Sequence, residues 1–531
     1  MLSRASVACT TGMHDDICSR SFLEFSSRIT SPIVNAVPYP HVNIHNVFND
    51  RFLRECLAEL KDQLTANFKE TDLFKVYQTT DLANLQDCVP RARVTVPHLF
   101  RLRQYLYSEA FRDFIAQATG CGSLDGAVDC SCNIYTAGCH LLCHDDVIGT
   151  RRISYIIYLS EPDEVWTGTD GGQLELYPIG PDGKNPTDSP VVSMMPEWNS
   201  MVLFEVLPGH SFHAVREVSS ITKTRVSISG WFHAKQIKQA EKRYGAPSTL
   251  QQLQAAGDIY YPPYTSVSIA ARSSRQIAEH ELSSFLHKWV KPEYLIHENI
   301  IRIREHFQNE GSIQLHDFLL PSIADSLREK LKREDSRNRR KCGQYDYACG
   351  HGWSVKGPPH IRRYLSYQPD SARTNRNDVG DRLEEVLINV TSTVGFQNWL
   401  SAVTGFHCTH AFSEIRRFRA GLDYTLAHSD IFKDSQIDVD LCFTSGPSQW
   451  LSGDLGGYQC FTSTEATDGA ADVYSGDIAE NESLRSIAPT FNSLTLVKVD
   501  KGITNFVKFI STHAKGSRWD ITSRFVVAKS T

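Results

Sequence analysis

The sequence predicts an α+β fold of two tandem double-stranded β-helix (jelly-roll) domains, each buttressed by helices. Three observations predict it: an internal repeat, helical spacing of apolar residues early in each copy, and short β-rich runs after the helices. At 531 residues the chain is also too long for one hydrophobic core.

The repeat consists of four segment pairs that recur in the same order. FRDFIAQATG from Phe111 matches FQNWLSAVTG from Phe396, and RVSISGWF from Arg225 matches RWDITSRF from Arg518. Between them, CNIYTAGCHLLCHDD faces RRFRAGLDYTLAHSD, and NSMVLFEVLPGHSFHAVREV faces NSLTLVKVDKGITNFVKFIS. We interpret the chain as a catalytic domain at 1–237, a linker at 238–275 and a degenerate, non-catalytic copy at 276–531.

Apolar residues at helical spacing open each copy. They are Phe52, Leu53, Cys56, Leu57, Leu60, Leu64, Leu102, Tyr105, Leu106, Phe111, Phe114 and Ile115 in the first copy, and Phe318, Leu319, Ile323, Leu327 and Leu331 in the second. Strand-like runs follow in the first copy, namely RRISYIIYLS, GGQLELYPI, NSMVLFEV and TRVSISGWF, separated by Gly, Pro, Asp and Asn clusters.

Composition restricts the class of protein. A net charge of −6 provides no global basic field, so extended nucleic-acid binding is not expected. The basic stretch Lys330–Lys341 is either a solvated helix end or a nuclear-import or RNA-contacting patch. We find no signal peptide and no membrane-length apolar run, and expect the 14 cysteines to be reduced thiols of a protein of nucleus and cytoplasm.

His144 and Asp146 form a His-x-Asp motif that, on a strand, places both side chains on one face. Two histidines downstream, His210 and His213, offer a third ligand. We favour His213 because strand-like residues follow it, whereas His210 lies in a turn. Two imidazoles and one carboxylate on one face are typical of a non-haem iron(II) site with three open positions.

Arg225 follows twelve residues after His213, where a hairpin would return it to the metal. Its guanidinium suits the far carboxylate of 2-oxoglutarate. Ser227 shares its face, and Tyr135 precedes the motif and reaches the same carboxylate. We therefore expect iron(II), 2-oxoglutarate and O2 as cofactors, with ascorbate as reductant.

Other patterns have simpler explanations. A buried His-x-Asp pair can be a structural hydrogen bond, and Arg225 can be a surface residue; the ordered combination favours the metal site. CHLLCH lacks the spacing of a haem attachment site. The cysteines of this region are expected to be small buried residues rather than zinc ligands, namely Cys130, Cys132, Cys139 and Cys143.

The second copy repeats His-x-Asp at His428 and Asp430, but Val507 stands where the first copy has His213. Arg518 matches Arg225, while Arg524 replaces Trp231. His513 is the nearby candidate for a substitute ligand. We expect no catalytic metal site in this copy.

NIYTAGCHLLCHDDVIGTRRISYIIYLS, SFHAVREV and KTRVSISGWFH resemble the catalytic domain of the ribosomal prolyl hydroxylases, two-domain oxygenases of the yeast termination-and-polyadenylation protein type. LSSFLHKWVKPEYL and FRAGLDYTLA extend the likeness over almost the whole chain. The resemblance implies iron binding by His144, Asp146 and His213, and 2-oxoglutarate binding by Arg225 and Tyr135.

The resemblance further implies hydroxylation of a proline in the small-subunit ribosomal protein at the decoding centre, with effects on translation termination accuracy. It implies a second domain that serves structure, homodimer contacts or translation-termination and transcription-regulator partners. Two alternatives stay open: an oxygenase with a nucleic-acid substrate, and an oxygen-responsive adaptor of a transcription factor acting through the C-terminal domain.

Overall fold

The chain forms two compact units, Met1–Gln251 with Ala470–Gly476 (unit 1) and Gln252–Gly469 with Asp477–Thr531 (unit 2). The computed structural model describes residues 16–85, 89, 91–146, 150–234, 265–266, 286–338, 343–369, 378–427, 435–444, 450–463, 485–500 and 503–527. Both units combine helices with antiparallel sheets, so the α+β class is confirmed. The boundaries at 237 and 275 stay a prediction, since most of the linker lies outside these ranges.

Unit 1 begins with helices whose buried faces match the predicted spacing. Asn49 caps the second of them, and its apolar face is buried as far as Leu60, whereas Leu64 lies just past the last turn. The described helices of this unit are α1 Arg20–Ser26, α2 Asp50–Gln63, α3 Ala92–Thr95, α4 Pro97–Leu106 and α5 Glu109–Thr119.

The described strands of unit 1 join in one antiparallel sheet. They are β1 His41–His45, β2 Asn67–Glu70, β3 Phe74–Gln78, β4 Ser131–Tyr135, β5 His140–His144, β6 Arg151–Tyr158, β7 Leu174–Leu176, β8 Val192–Met194, β9 Ser200–Glu205, β10 His213–Val215 and β11 Arg225–His233. Their order is β1-β9-β6-β11-β4-β3-β5-β10-β7-β8, and β2 pairs with β3.

This sheet is curled, so that its two halves face each other. Leu174 and Val215 of one half pack in a buried cluster with Tyr158 and Phe204 of the other. The opposite face of β6, β9 and β11 packs against the helices, with Phe111 among the fully buried residues. The interior between the two halves is where the predicted site residues meet.

Unit 2 repeats the sequence of helices followed by strands. Its described helices are α6 His297–Glu310, α7 Pro321–Arg337, α8 Val379–Val386 and α9 Val394–Thr404, with a π turn at Leu387–Thr391. Phe318 and Leu319 were predicted to share a helix with Ile323, but α7 begins only at Pro321. Proline suits the first helical position, and Leu319 instead bridges to Val290.

The strands of unit 2 fall into two antiparallel sheets. They are β12 Thr265–Ser266, β13 Ser312–Leu315, β14 Trp353–Lys356, β15 Arg362–Tyr367, β16 Cys408–Phe418, β17 Tyr424–Thr425, β18 Gln436–Thr444, β19 Gln459–Ser463, β20 Arg485–Ile487, β21 Ser493–Val499, β22 Ile503–Val507 and β23 Arg518–Val527. The larger sheet has the order β13-β21-β18-β23-β16-β15-β14, with β12 and β17 pairing to β16 and β15, and the smaller is β20-β19-β22.

The two units share local features that the repeat predicts. Ser108 and Thr393 cap α5 and α9 through the same hydrogen bond, and Gly120 and Gly405 end these helices with φ of 72° and 79°. The order β9-β6-β11-β4 in unit 1 has its counterpart in β21-β18-β23-β16 of unit 2. That both sheets are double-stranded β-helices stays a prediction.

The basic stretch Lys330–Lys341 begins in the last turns of α7, where Lys332 and Arg333 are exposed, and continues beyond the described residues. Its use as an import signal stays a prediction. Among the described helices, none combines the length and apolar character that crossing a membrane requires.

Candidate iron and 2-oxoglutarate site

His144 and Asp146 meet at the end of β5. His144 is the last residue of the strand, and Asp146 lies beyond it with φ of +58°. Alternation along a strand, the predicted reason for their proximity, is therefore wrong. Asp146 adopts the left-handed backbone conformation, which aspartate tolerates better than most residues, and this turn directs its carboxylate back towards His144. Asp146 Oδ1 lies 3.0 Å from His144 Nε2.

His213 completes the group from the neighbouring strand. It opens β10 and is the register partner of His144, with ring centroids 4.2 Å apart. Its Nε2 lies 3.3 Å from Asp146 Oδ2, and candidate ligand atoms of all three residues lie within 4.8 Å of one another. His210, the alternative, contacts the Pro208 carbonyl at 3.1 Å and does not belong to this group.

Both imidazoles are oriented for metal binding. Nδ1 of His144 donates to the Leu142 carbonyl, and Nδ1 of His213 donates to the Ser211 carbonyl, each at 2.8 Å. A backbone carbonyl only accepts, so Nδ1 carries a proton, and Nε2 is the nitrogen left to bind a metal once its own proton is displaced. In both residues that Nε2 faces Asp146, as a shared metal requires.

Asp146 is ionised in this setting. Burial raises its pKa, but the nearby His213 and His144 lower it, and the net pKa lies well below the usual range. Trp231 donates its indole N–H to Oδ2 at 3.0 Å, and Ser154 Oγ lies 3.5 Å from the same oxygen. A metal that displaces the Nε2 protons would meet two neutral nitrogens and one anion, a donor set suited to iron(II).

Arg225 is buried at the start of β11 and keeps an unused donor. Its Nε donates to the Gly172 carbonyl at 2.9 Å, and its Nη1 donates to Ser227 Oγ at 3.2 Å. Its Nη2 is buried without a hydrogen bond of normal geometry among the described residues, and so is the hydroxyl of Tyr158. The two side chains lie close together, since burial raises the pKa of Tyr158 and Arg225 opposes that rise. Such buried groups ordinarily have partners, so this pair fits an incoming carboxylate.

Tyr135 lies close to Arg225 and within electrostatic range of Asp146. It is the register partner of Arg225, whose Cζ lies 4.8 Å from its ring and 5.0 Å from that of Tyr158. Burial raises the pKa of Tyr135 to about 12, with Arg225 lowering it and Asp146 raising it. The pKa of Tyr135 is therefore affected by both charges, and its hydroxyl remains neutral at physiological pH.

The route that brings Arg225 to the site differs from the predicted hairpin. Its strand pairs with β4 and β6, whereas β10, which carries His213, pairs with β5 and β7. The curl of the sheet, not strand pairing, brings them together. Ser227 accepts a hydrogen bond from the guanidinium, so it orients Arg225; its role toward 2-oxoglutarate stays a prediction.

Two residues of the site were missed in the sequence. Tyr158 ends β6, and Trp231 lies six residues after Arg225 on the same face of β11. Alternation from Arg225 through Ser227 would have found Trp231. The partnership of Tyr158 with Arg225 has no such signal, because it depends on which strand lies beside β11.

The cysteines of the region lie apart from this group of ligands. Cys130, Cys132, Cys139 and Cys143 are all buried, as predicted. Burial raises the pKa of Cys130 and of Cys132 to about 12, which keeps these thiols protonated and disfavours metal binding.

In unit 2, the arginine that corresponds to Arg225 is paired with carboxylates of the same unit. Arg518 opens β23 as Arg225 opens β11, and donates from Nη1 to the Gly457 carbonyl at 2.6 Å. Its Nη2 donates to Asp440 at 2.6 Å and its Nε to Asp520 at 3.1 Å. Arg416 donates to Asp520 from the other side at 2.7 Å. The guanidinium that would bind a cosubstrate is therefore occupied by carboxylates of the chain itself.

The remaining unit 2 candidates offer no ligand set among the described residues. Val507 is buried in β22, where His213 stands in unit 1, and has no metal-binding atom in its side chain. His513 contacts Ser511 Oγ at 3.2 Å and forms no metal-binding group with other described side chains. His428 and Asp430 lie outside the described residues.

A further match between the units was missed in the sequence. Gly171–Gly172 and Gly456–Gly457 both lie at positive φ, and the second glycine of each pair accepts from the arginine that begins the last strand. A Cβ on Gly171 would lie 1.9 Å from the Glu217 carbonyl oxygen, and one on Gly456 1.7 Å from that of Phe509. Only glycine fits such a turn.

Two family models match the chain. One, described as the 2OG-Fe(II) oxygenase superfamily, matches residues 130–233, the range that contains the ligand group and Arg225. The other, described as oxoglutarate and iron-dependent oxygenase degradation C-term, matches residues 281–531.

Full-length relatives are similar to the chain as a whole. The Prolyl 3,4-dihydroxylase OGFOD1 of Ostreococcus tauri is 54% identical over 519 residues, which cover 97% of this chain and 100% of the relative. The Prolyl 3-hydroxylase OGFOD1 of Xenopus laevis is 30% identical over 503 residues, which cover 91% and 85%. Among solved structures, a prolyl-4-hydroxylase of Pseudomonas putida aligns with 37% of this chain and 93% of its own, at 20% identity and a TM-score of 0.28.

Proposed function

The chain belongs to the OGFOD1-type prolyl hydroxylases, a family of 2-oxoglutarate- and iron(II)-dependent oxygenases, and we propose that it hydroxylates a proline of the small-subunit ribosomal protein at the decoding centre. One observation supports the oxygenase chemistry most directly. The Nη2 of Arg225 lies in the interior that also holds the ligand group: Tyr135 and Tyr158 lie beside the guanidinium, and Phe204 of the same buried cluster has its ring centroid 4.6 Å from that of His213. Support for the ribosomal substrate comes from the resemblance of the sequence.

Each site residue has a proposed role. His144, Asp146 and His213 hold iron(II). Arg225, Tyr135 and Tyr158 bind the far carboxylate of 2-oxoglutarate, and Ser227 orients Arg225 and adds a hydroxyl donor. When bound, iron and 2-oxoglutarate supply the oxidising chemistry for hydroxylation of a C–H bond.

The protein contributes geometry and exclusion of water to this reaction. Arg225 is buried beside the rings of Tyr135 and Tyr158, which belong to one buried cluster with Val202 and Phe204. A dry environment strengthens the attraction between the guanidinium and a carboxylate, because little water screens the two charges. It also limits loss of the oxidising equivalent to solvent.

We propose that the product carries two hydroxyl groups. The Ostreococcus relative is named as a 3,4-dihydroxylase, whereas the Xenopus relative is named as a 3-hydroxylase. The higher identity to the former supports two successive hydroxylations of one proline ring. Ascorbate is the proposed reductant that maintains iron(II).

Unit 2 is proposed to be a second double-stranded β-helix without catalytic activity. Support comes from the shared strand order and from the carboxylates of Asp440 and Asp520, which occupy the donors of Arg518. Its proposed roles are homodimer contacts and binding of translation-termination or transcription-regulator partners, in nucleus and cytoplasm. An adaptor role of this unit can accompany catalysis by unit 1.

Mass spectrometry of a decoding-centre ribosomal peptide tests the proposal. The peptide is incubated with the protein, iron(II) and 2-oxoglutarate, and we expect one and then two oxygen atoms on a single proline. A peptide with alanine at that position is the control for site selectivity. An unmodified proline, while the enzyme still converts 2-oxoglutarate to succinate, would overturn the substrate and leave the cofactor assignment standing.

A further inference from the structure

The second carboxylate oxygen of Asp146 is held from two neighbouring strands. Oδ2 accepts from Trp231 Nε1 at 3.0 Å and from Ser154 Oγ at 3.5 Å. Trp231 and Ser154 are register partners on β11 and β6. The two donors thus come from paired positions on adjacent strands and converge on the same oxygen.

The indole of Trp231 is itself fixed in place. The Arg151 guanidinium lies 3.4 Å from the ring centroid, a close cation–π contact. Arg151 opens β6, and its Nε lies 3.7 Å from Asp129 Oδ2. A ring covered by one side chain and anchored through its strand has little freedom to turn its N–H away.

We infer that Trp231 is a positioning residue for iron(II), whose N–H holds Asp146 Oδ2 so that the carboxylate binds the metal through Oδ1 alone. Oδ1 lies 3.0 Å from His144 Nε2 and accepts from neither Trp231 nor Ser154, whereas Oδ2, which lies 3.3 Å from His213 Nε2, accepts from both. Binding through one oxygen leaves three coordination positions open, whereas binding through both would occupy one of them. Hydrogen bonds to ligating carboxylates tune metal sites in this way. The inference rests on the proposed iron site.

At the position of unit 2 that corresponds to Trp231 and Ser154, an arginine and an aspartate replace the two donors. Arg524 and Asp438 are register partners as Trp231 and Ser154 are, and their side chains approach each other, with Arg524 Nε 3.8 Å from Asp438 Oδ1. A tryptophan and a serine that both donate to a ligand are thus replaced by a mutually neutralising pair. Of the two units, the one with the described ligand group is also the one in which Trp231 and Ser154 donate at this position.

Metal affinity of Trp231→Phe tests the inference, because phenylalanine keeps an aromatic ring for Arg151 to cover and removes the N–H. With Mn(II) as an oxygen-stable probe followed by EPR, we expect the dissociation constant to rise about 10- to 100-fold. In the Co(II)-loaded protein we expect a changed visible spectrum, since the carboxylate is free to bind through both oxygens. Neither readout depends on turnover.

Trp198→Phe is the matched control. Trp198 also donates to a carboxylate, Asp50 Oδ1 at 2.8 Å, and has an arginine over its ring, Arg54 at 5.7 Å. That carboxylate belongs to no ligand group among the described residues. We expect this variant to bind Mn(II) as the unaltered protein does.

Unchanged Mn(II) affinity and an unchanged Co(II) spectrum in Trp231→Phe would overturn the inference while leaving the iron site intact. If Trp231→Phe fails to fold, Ser154→Ala takes its place: a smaller loss of Mn(II) affinity supports the positioning of Oδ2, and no loss overturns it. Failure of the unaltered protein to bind Mn(II) would instead contradict the proposed function.

Discussion

Arg225 and Arg518 each open the last strand of their unit, yet their guanidinium groups end in different states. Arg225 keeps a buried Nη2 without a hydrogen bond of normal geometry among the described residues, whereas Arg518 donates from Nε, Nη1 and Nη2 to groups of its own unit. An arginine with an unused donor can bind an external carboxylate, and one that is fully engaged cannot do so without breaking internal bonds.

The two arginines should therefore respond oppositely to the same substitution. Arg225→Gln should raise the KM for 2-oxoglutarate by about 100-fold, because it removes charged hydrogen bonds to the cosubstrate. Arg518→Gln should leave that KM unchanged but lower the free energy of unfolding by about 3 kcal/mol, since Asp440 and Asp520 lose a buried partner. Succinate formation and denaturant titration measure the two effects. Equal KM changes in both variants would contradict the assignment of Arg225.

Removal of the Tyr158 hydroxyl should weaken cosubstrate binding without loss of stability. Tyr158→Phe should raise the KM for 2-oxoglutarate about 10-fold, as expected for one lost hydrogen bond to a carboxylate. Tyr155→Phe is the control, because Tyr155 donates to the Asp129 carbonyl at 3.0 Å and packs against the helices. A KM change in the control of the same size would indicate a general effect on the sheet.

Metal binding should distinguish the two candidate histidines. His213→Ala and His144→Ala should abolish Mn(II) binding, whereas His210→Ala should retain it, because His210 lies outside the ligand group. Equilibrium dialysis measures all three variants. In cells, loss of function in His144→Ala would implicate catalysis, and retained function would favour an adaptor role of unit 2.

The glycine turn beside Arg225 should tolerate no side chain. Gly171→Ala places a Cβ 1.9 Å from a backbone oxygen at φ of +78°, so the turn must shift and carry the Gly172 carbonyl away from Arg225. We expect a lower melting temperature and a higher KM for 2-oxoglutarate. Gly183→Ala, at φ of +70° with no atom within 4 Å of the added Cβ, should cost only about 1 kcal/mol and leave the KM unaltered.

The buried charges of unit 2 should make its stability depend on pH. Burial, together with the charge of Asp520, raises the pKa of Asp440 to about 7, although Arg518 and Arg416 oppose the shift. An acid whose pKa is higher in the folded state stabilises the fold below its unfolded pKa of about 4. That contribution is lost as the pH rises through about 7.

Asp440→Asn should remove this dependence, since an amide does not titrate and its oxygen still accepts from Arg518. Hydrogen exchange of the β18 and β23 amides, corrected for intrinsic rates, measures the opening free energy of unit 2 at each pH. The same decline with pH in both proteins would show that Asp440 does not cause it.

The ligand group could be predicted in the sequence because its members carry a distinctive chemistry. His144, Asp146 and His213 stand in an order that few structural motifs share, and Arg225 follows at the start of a clear strand. The helical and strand segments were also predictable, since apolar spacing follows burial directly. Where spacing failed, as at Phe318, a proline three residues beyond set the start of the helix.

The sequence alone thus determined the class of fold, the duplication of local segments and the identity of candidate ligands, because each is written in residue type and spacing. The tertiary structure decided the backbone turn at Asp146, the donors from Trp231 and Ser154, and the pairing of Tyr158 with Arg225. These depend on which strands face each other across a curled sheet. Alternation assigns a side chain to a face, but only the folded sheet determines what stands opposite.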